Sequence, residues 1–161
     1  MLSNKNLGIH WFRQDLRISD NPALINAVEF GKILPVYILD TVNSCDNPMG
    51  AAQKIWLHHS LKSLDNSLGG NLLVYSGDPL NIILKLVTEF EVNKIFWNRC
   101  YEPWQILRDK KIKTELNRRN VDVESSNGSL LWEPWEILKQ DGSPYKAVSY
   151  THLTLPTKRI V

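Results

Sequence analysis

The chain has 161 residues, enough for one domain that buries a core without disulfide staples. Apolar residues make up 43% and charged residues 22%, an ordinary globular balance that excludes a disordered or low-complexity chain. A net charge of +2, from 19 Lys plus Arg against 17 Asp plus Glu, is too small to mark a polyanion-binding protein by itself.

Short apolar runs alternate with helical patterns along the chain, the signature of βαβ units and a parallel sheet. Leu7 to Phe12 is the first expected strand. Asn21 supplies an N-cap and Pro22 the first helical position, where its missing N–H costs nothing, and Gly31 stops that helix after Phe30. Ile33 to Leu39 is apolar throughout, as expected for a strand covered on both faces. Thr41 to Pro48 is polar and turn-like. From Gly50 a helix carries Leu57, Leu61, Leu64 and Leu68 on one face, and Gly69-Gly70 ends it. Leu72 to Tyr75 forms a third strand. Ser76-Gly77-Asp78-Pro79 turns the chain into a helix whose apolar face is Leu80, Ile83, Leu84 and Val87. Lys94 to Trp97 is a fourth strand, Pro103 opens a helix ending near Arg119-Asn120, and Val121 to Glu124 is a fifth strand. Asn127-Gly128 and Asp141-Gly142-Ser143-Pro144 are turns. The expected architecture is α/β, a Rossmann-like three-layer sandwich with a five-stranded parallel sheet.

No apolar run nears the roughly 20 residues that span a bilayer, and Met1 to Asn6 lacks the apolar core of a secretory signal. No membrane partner is expected. Cys45 and Cys100 make neither a disulfide framework nor a paired metal spacing, so a reducing, cytoplasmic setting is expected. His58 and His59 are adjacent, hence on different sides of a helix, and no metal site is expected. Trp11 and Trp97 sit within strands and are expected in the core. The basic run Arg108, Lys110, Lys111, Lys113, Arg118 and Arg119, opposed by Asp109 and Glu115, is expected to be a solvated helix face, with a DNA-facing surface as the alternative.

In an open parallel sheet, ligands bind outside the carboxyl ends of the strands, where strand order reverses. The first strand delivers Arg13, Gln14 and Asp15 to that rim, the second Asp40, and the fourth Asn98, Arg99 and Glu102. Two readings stand. The guanidinium and the two carboxylates can grip a polar heterocycle through charge-assisted hydrogen bonds. Alternatively Arg13, Asp40 and Glu102 pair with one another and steady the loops. The turn from Phe12 to Asn21 contains no glycine, so a dinucleotide or P-loop site is disfavoured. No catalytic nucleophile or acid–base set is expected; Cys100 has no histidine in its own loop.

Several strings carry a family likeness. WFRQDLRISDNPAL from Trp11 resembles the opening signature of the photolyase/cryptochrome family, and YILD (Tyr37 to Asp40), GAAQKIWLHHSLKSL from Gly50, WNRCYEP from Trp97, RDKKIKTEL from Arg108, SNGSLLWEPWEI from Ser126 and DGSPYK follow in that family's order. The resemblance covers about residues 5 to 146 and implies an N-terminal antenna domain. Such a domain holds a light-harvesting chromophore: methenyltetrahydrofolate, an 8-hydroxy-deazaflavin or a flavin. FAD, damaged DNA and the splitting of pyrimidine dimers belong to a helical C-terminal domain, with which this one would partner. By the same resemblance Arg13, Asp40, Met49 and Glu102 fall on chromophore-binding positions. Cys100 stands where deazaflavin-type members have an aspartate, and Trp104-Gln105 where folate-type members have Asn-Glu, so the chromophore stays open. The implied function is the antenna domain of a deoxyribodipyrimidine photolyase, inactive alone. The alternatives are the same domain of a cryptochrome photoreceptor or a free-standing nucleotide-binding domain. Residues 5–135 are expected to form the α/β domain and 136–147 the start of an interdomain linker. Residues 148–161 are expected to be foreign to the fold, as translated adapter sequence or a frame error would be.

Overall fold

The computed structural model describes residues 6–43, 49–139 and 141–144. It contains β1 (Leu7–Phe12), α1 (Pro22–Phe30), β2 (Lys32–Asp40), α2 (Ala51–Ser67), β3 (Leu73–Gly77), α3 (Pro79–Phe90), β4 (Lys94–Asn98), α4 (Pro103–Arg118) and β5 (Asp122–Ser126). The strands pair in parallel in the order β3-β2-β1-β4-β5. Consecutive strands first run outward on one side of β1 and then resume on the other. The order therefore reverses between β1 and β4, which opens a crevice at their carboxyl ends.

Alternation along the strands assigns the two faces. Ile9 and Trp11 of β1, Val36 and Ile38 of β2, and Ile95 and Trp97 of β4 pack with Ile83, Leu86 and Val87 of α3 and Ile112 and Leu116 of α4. Phe12 and Tyr37 point the other way, against Leu24 of α1 and Leu57, Leu61 and Leu64 of α2. Helices thus cover both faces, and the central strands can be apolar on both. Trp11 and Trp97 are buried, edge to face at 5.6 Å, a contact that adds about 0.5–1.5 kcal/mol to the burial itself.

Local signals explain the helix starts. Asn21 Oδ1 accepts from Leu24 N at 3.1 Å, and Pro22 occupies the first turn of α1. Asp78 does the same for α3 through Leu80 N, with Pro79 behind it. Met1–Ser129 forms one compact unit and Leu130–Val161 a second. In the second unit, Glu133 is buried, Leu138 and Pro144 form a bridge, and Leu131, Trp132 and Trp135 are exposed. The segment 148–161, expected to be foreign, lies outside the described residues. So does most of the 41–48 turn, of which only 41–43 is described.

Candidate functional site

At the switch point, the loop after β1 and the end of β4 are locked together by a buried polar triad. Asn98 Nδ2 donates to Asp15 Oδ2 at 2.5 Å and to Asn21 Oδ1 at 2.7 Å, while Asn98 Oδ1 accepts from Ala23 N at 3.2 Å. Asp15 Oδ1 accepts from Arg13 N at 2.9 Å. The β4 asparagine therefore helps to cap α1 from across the sheet. Gly128 closes over it so tightly that a Cβ there would lie 2.5 Å from Asn98 Cγ.

Beside this lock lies a cleft of about 460 Å³, within the range of small-molecule pockets. Arg13, Asp40, Met49 and Glu102, the four positions singled out in the sequence, all line it. The three charged ones, Arg13, Asp40 and Glu102, do not pair with one another. Arg13 Nη1 binds Asp109 Oδ2, Arg108 binds Asp109 Oδ1 at 2.9 Å, and Arg108 Nη1 binds Asp40 Oδ2 at 3.1 Å. Charges alternate along a buried chain, Asp40–Arg108–Asp109–Arg13, so each is neutralised by its neighbour. Glu102 stays outside it and accepts from Trp104 Nε1 at 2.7 Å.

The guanidiniums also stack on rings. Arg108 lies 4.9 Å from the Trp11 centroid and 5.2 Å from that of Trp104, and Arg13 lies 5.1 Å from Trp11. Nε and Nη2 of Arg13 and Oε1 of Gln105 are buried without a hydrogen-bond partner, so Arg13 is held mainly by Asp109 and by its tryptophan contacts. Burial pushes the Asp40 carboxyl up. The N–H groups of Asn43 and Val42, together with Arg108, outweigh that and hold it below the usual range. Burial raises the Cys100 thiol, which opposes a thiolate role for it.

Arg108 and Asp109 correct the expectation of a solvated helix face, because both are buried and Lys113 is half-buried. The signal was present. Gln105, Arg108, Asp109, Ile112 and Leu116 are the buried residues of α4, and their spacing of three and four marks one helix face. Extending Ile112 and Leu116 one turn backward reaches the two charges. Only a partner charge across the sheet makes their burial tolerable, and that partner is remote in sequence.

The DNA photolyase family model matches residues 8–152. The chain is 43% identical over 142 residues to the deoxyribodipyrimidine photo-lyase of Agrobacterium fabrum, covering 86% of this chain and 29% of that one. It is 38% identical over 141 residues to Cryptochrome-2 of Arabidopsis thaliana, covering 85% and 23%. A crystal structure of a bacterial class III photolyase from Agrobacterium tumefaciens superposes with a TM-score of 0.83 at 41% identity, over 91% of this chain and 30% of that one. An archaeal photolyase from Sulfolobus tokodaii, solved with two FAD molecules, gives 0.71 at 28% identity, over 80% and 31%. The chain spans less than a third of the length of these relatives. With the sheet order, the switch-point lock and a family match over nearly its whole length, the chain belongs to the DNA photolyase family.

Proposed function

We propose that this chain is the antenna domain of a deoxyribodipyrimidine photolyase and that the rim cleft holds its chromophore. The observation that carries the reading is the cleft itself, about 460 Å³ at the carboxyl edge of a parallel sheet, in a chain of this family. Its wall suits a planar heterocycle. Trp104, with the Arg108 guanidinium against its ring and Glu102 at its N–H, offers an aromatic surface, and Met49 an adaptable apolar one. Glu102, Asp40 and Gln53 supply polar contacts at the edge. The bound chromophore supplies light absorption and transfer of excitation; the residues of this chain only position it. Dimer repair belongs to the FAD-bearing part of the longer family chain, together with damaged DNA. The higher identity to a photolyase than to cryptochromes favours repair over signalling. Residues 136–147 serve as the start of the linker to that part.

The test is a fluorescence titration of the chain with methenyltetrahydrofolate, an 8-hydroxy-deazaflavin and FMN, repeated on Met49→Glu and Glu102→Gln. One chromophore is expected to bind. Met49→Glu should weaken it at least tenfold, because a carboxylate then meets the ring, and Glu102→Gln should weaken it about tenfold. Arg13→Ala is a poorer probe, since it also strips Asp109 of its partner. Binding that ignores both rim changes sinks the assignment.

A further inference from the structure

The sheet ends in two edges, β3 and β5, and among the described residues no further segment pairs with either. An open edge presents a row of unpaired N–H and C=O groups, which proteins guard with charge, proline or a bulge. β5 is guarded. Asp122 and Glu124 lie in it, Lys94 Nζ binds Glu124 Oε2 at 2.8 Å, and Lys113 Nζ donates to Ser125 Oγ at 2.8 Å. β3 is not. From Asn71 to Gly77 the chain holds no charge and no proline, and Val74 is 54% exposed. Gly77 O accepts from Thr41 N, so its backbone faces β2. Alternate residues of a parallel strand bond on the same side, so Leu73 and Tyr75 also face β2, and Val74 and Ser76 turn their N–H and C=O groups outward. Among the described residues, no backbone hydrogen bond outside the β2 ladder involves residues 73–76.

We propose that β3 is a self-association edge, and that two copies of the chain pair their β3 strands antiparallel about a two-fold axis through Val74. Charge chooses this occupant. β5 against β5 sets carboxylates against carboxylates, and β3 against β5 presses Asp122 and Glu124 onto an uncharged strand. Pairing β3 with β3 buries no charge. The outward groups fix the register. An axis at Val74 sets it against Val74 of the second copy, where the two exchange both hydrogen bonds, and sets Ser76 against Leu72. Leu72 N is held by Asp65 Oδ1 at 3.0 Å and marks where the new ladder stops. Leu73 then meets Tyr75 of the second copy on the α3 side, where both already pack on the core. Asp78 falls opposite Gly70, outside the strand, whereas an axis at Tyr75 would set Asp78 against Leu72. The pair is closed, and the charged β5 edges become its outer strands. None of residues 71–77 lines the rim cleft, so this proposal and the chromophore reading stand or fall separately.

Sedimentation of the chain at concentrations up to about 500 µM should show a dimer. Val74→Lys and Val74→Glu, each alone, place like charges directly opposite one another at the axis. Each should weaken dimerisation at least tenfold and leave the thermal midpoint of the dilute chain unchanged. Mixed in equal amounts, the two variants should pair at a concentration where neither self-associates, because opposite charges then meet. Val28→Lys, at an exposed apolar position on α1, should leave the dimer as it was. If a Val74 variant fails to fold, hydrogen exchange of the unmutated chain decides. Protection of the Val74 and Ser76 amides should rise with concentration, and that of the β5 amides should not. A monomer at the highest concentration overturns the proposal, and so does a dimer indifferent to both Val74 variants. Failure of the mixed variants to pair, or exchange in β3 that ignores concentration, overturns it as well.

Discussion

Asn98 shows how much one side chain can hold. Its amide satisfies Asp15, Asn21 and the first turn of α1 together, and each of those groups is buried or nearly so. Asn98→Ala leaves them unpaired away from water, and a loss of about 2–4 kcal/mol is expected, measured by urea unfolding. A loss under about 1 kcal/mol would mean that water replaces the amide. His10 makes a second prediction at this scale. It is fully buried on β1, and burial lowers its pKa to about 4, with Asp15 and the backbone of Ala23 pulling it up and Arg13 down. The unfolded chain takes up the proton near pH 6.5, while the folded protein resists until about pH 4. Stability from this group is therefore complete above pH 6.5 and falls by about 3 kcal/mol as the pH drops through that window. His10→Leu should flatten the decline of the thermal midpoint between pH 6.5 and 4; an unchanged slope would assign it to other groups.

Helix α4 buries one side and exposes the other. One side carries Gln105, Arg108, Asp109, Ile112 and Leu116 into the sheet, and Lys110 and Lys111 face out. Removing Arg108 leaves Asp40 and Asp109 buried without it, which costs about 3–5 kcal/mol, whereas Lys110→Ala should stay within about 0.5 kcal/mol. Chemical denaturation of the two variants compares them directly, and similar losses would contradict the buried charge chain. Helix α2 is the contrast. Of its seventeen residues only Leu64 is buried, although its leucine spacing is as regular as any in the chain.

For the whole molecule, the last strand among the described residues ends at Ser126, and the family match runs to residue 152. Among the described residues, every strand pairing of the first unit and every residue of its core cluster lies before residue 127. Truncation after Lys146 should accordingly leave the thermal midpoint of the chain unchanged. A fall of several degrees on calorimetry would show that the end of the chain packs on the domain. Among the described residues no helix is long and apolar enough to cross a membrane.

The sequence by itself determined the elements, because their causes are local. Asn21-Pro22, Asp78-Pro79, Gly69-Gly70 and the apolar strands each act within a few residues, and β1 and α1 fall where they were expected, with other strand ends moving by no more than two residues. It also brought out Arg13, Asp40 and Glu102, since strand ends in a parallel sheet share one rim, while Met49 came only from the family resemblance. What only the tertiary structure decided is which charges meet. Asp40 and Arg108 are separated by 68 residues and Arg13 and Asp109 by 96. Helical spacing from Ile112 and Leu116 places Arg108 on the inward face and Lys110 and Lys111 off it, but does not say what the buried guanidinium meets there. Burial of a charge depends on the opposite charge that arrives across the sheet, and that partner exists only after the strands have been ordered.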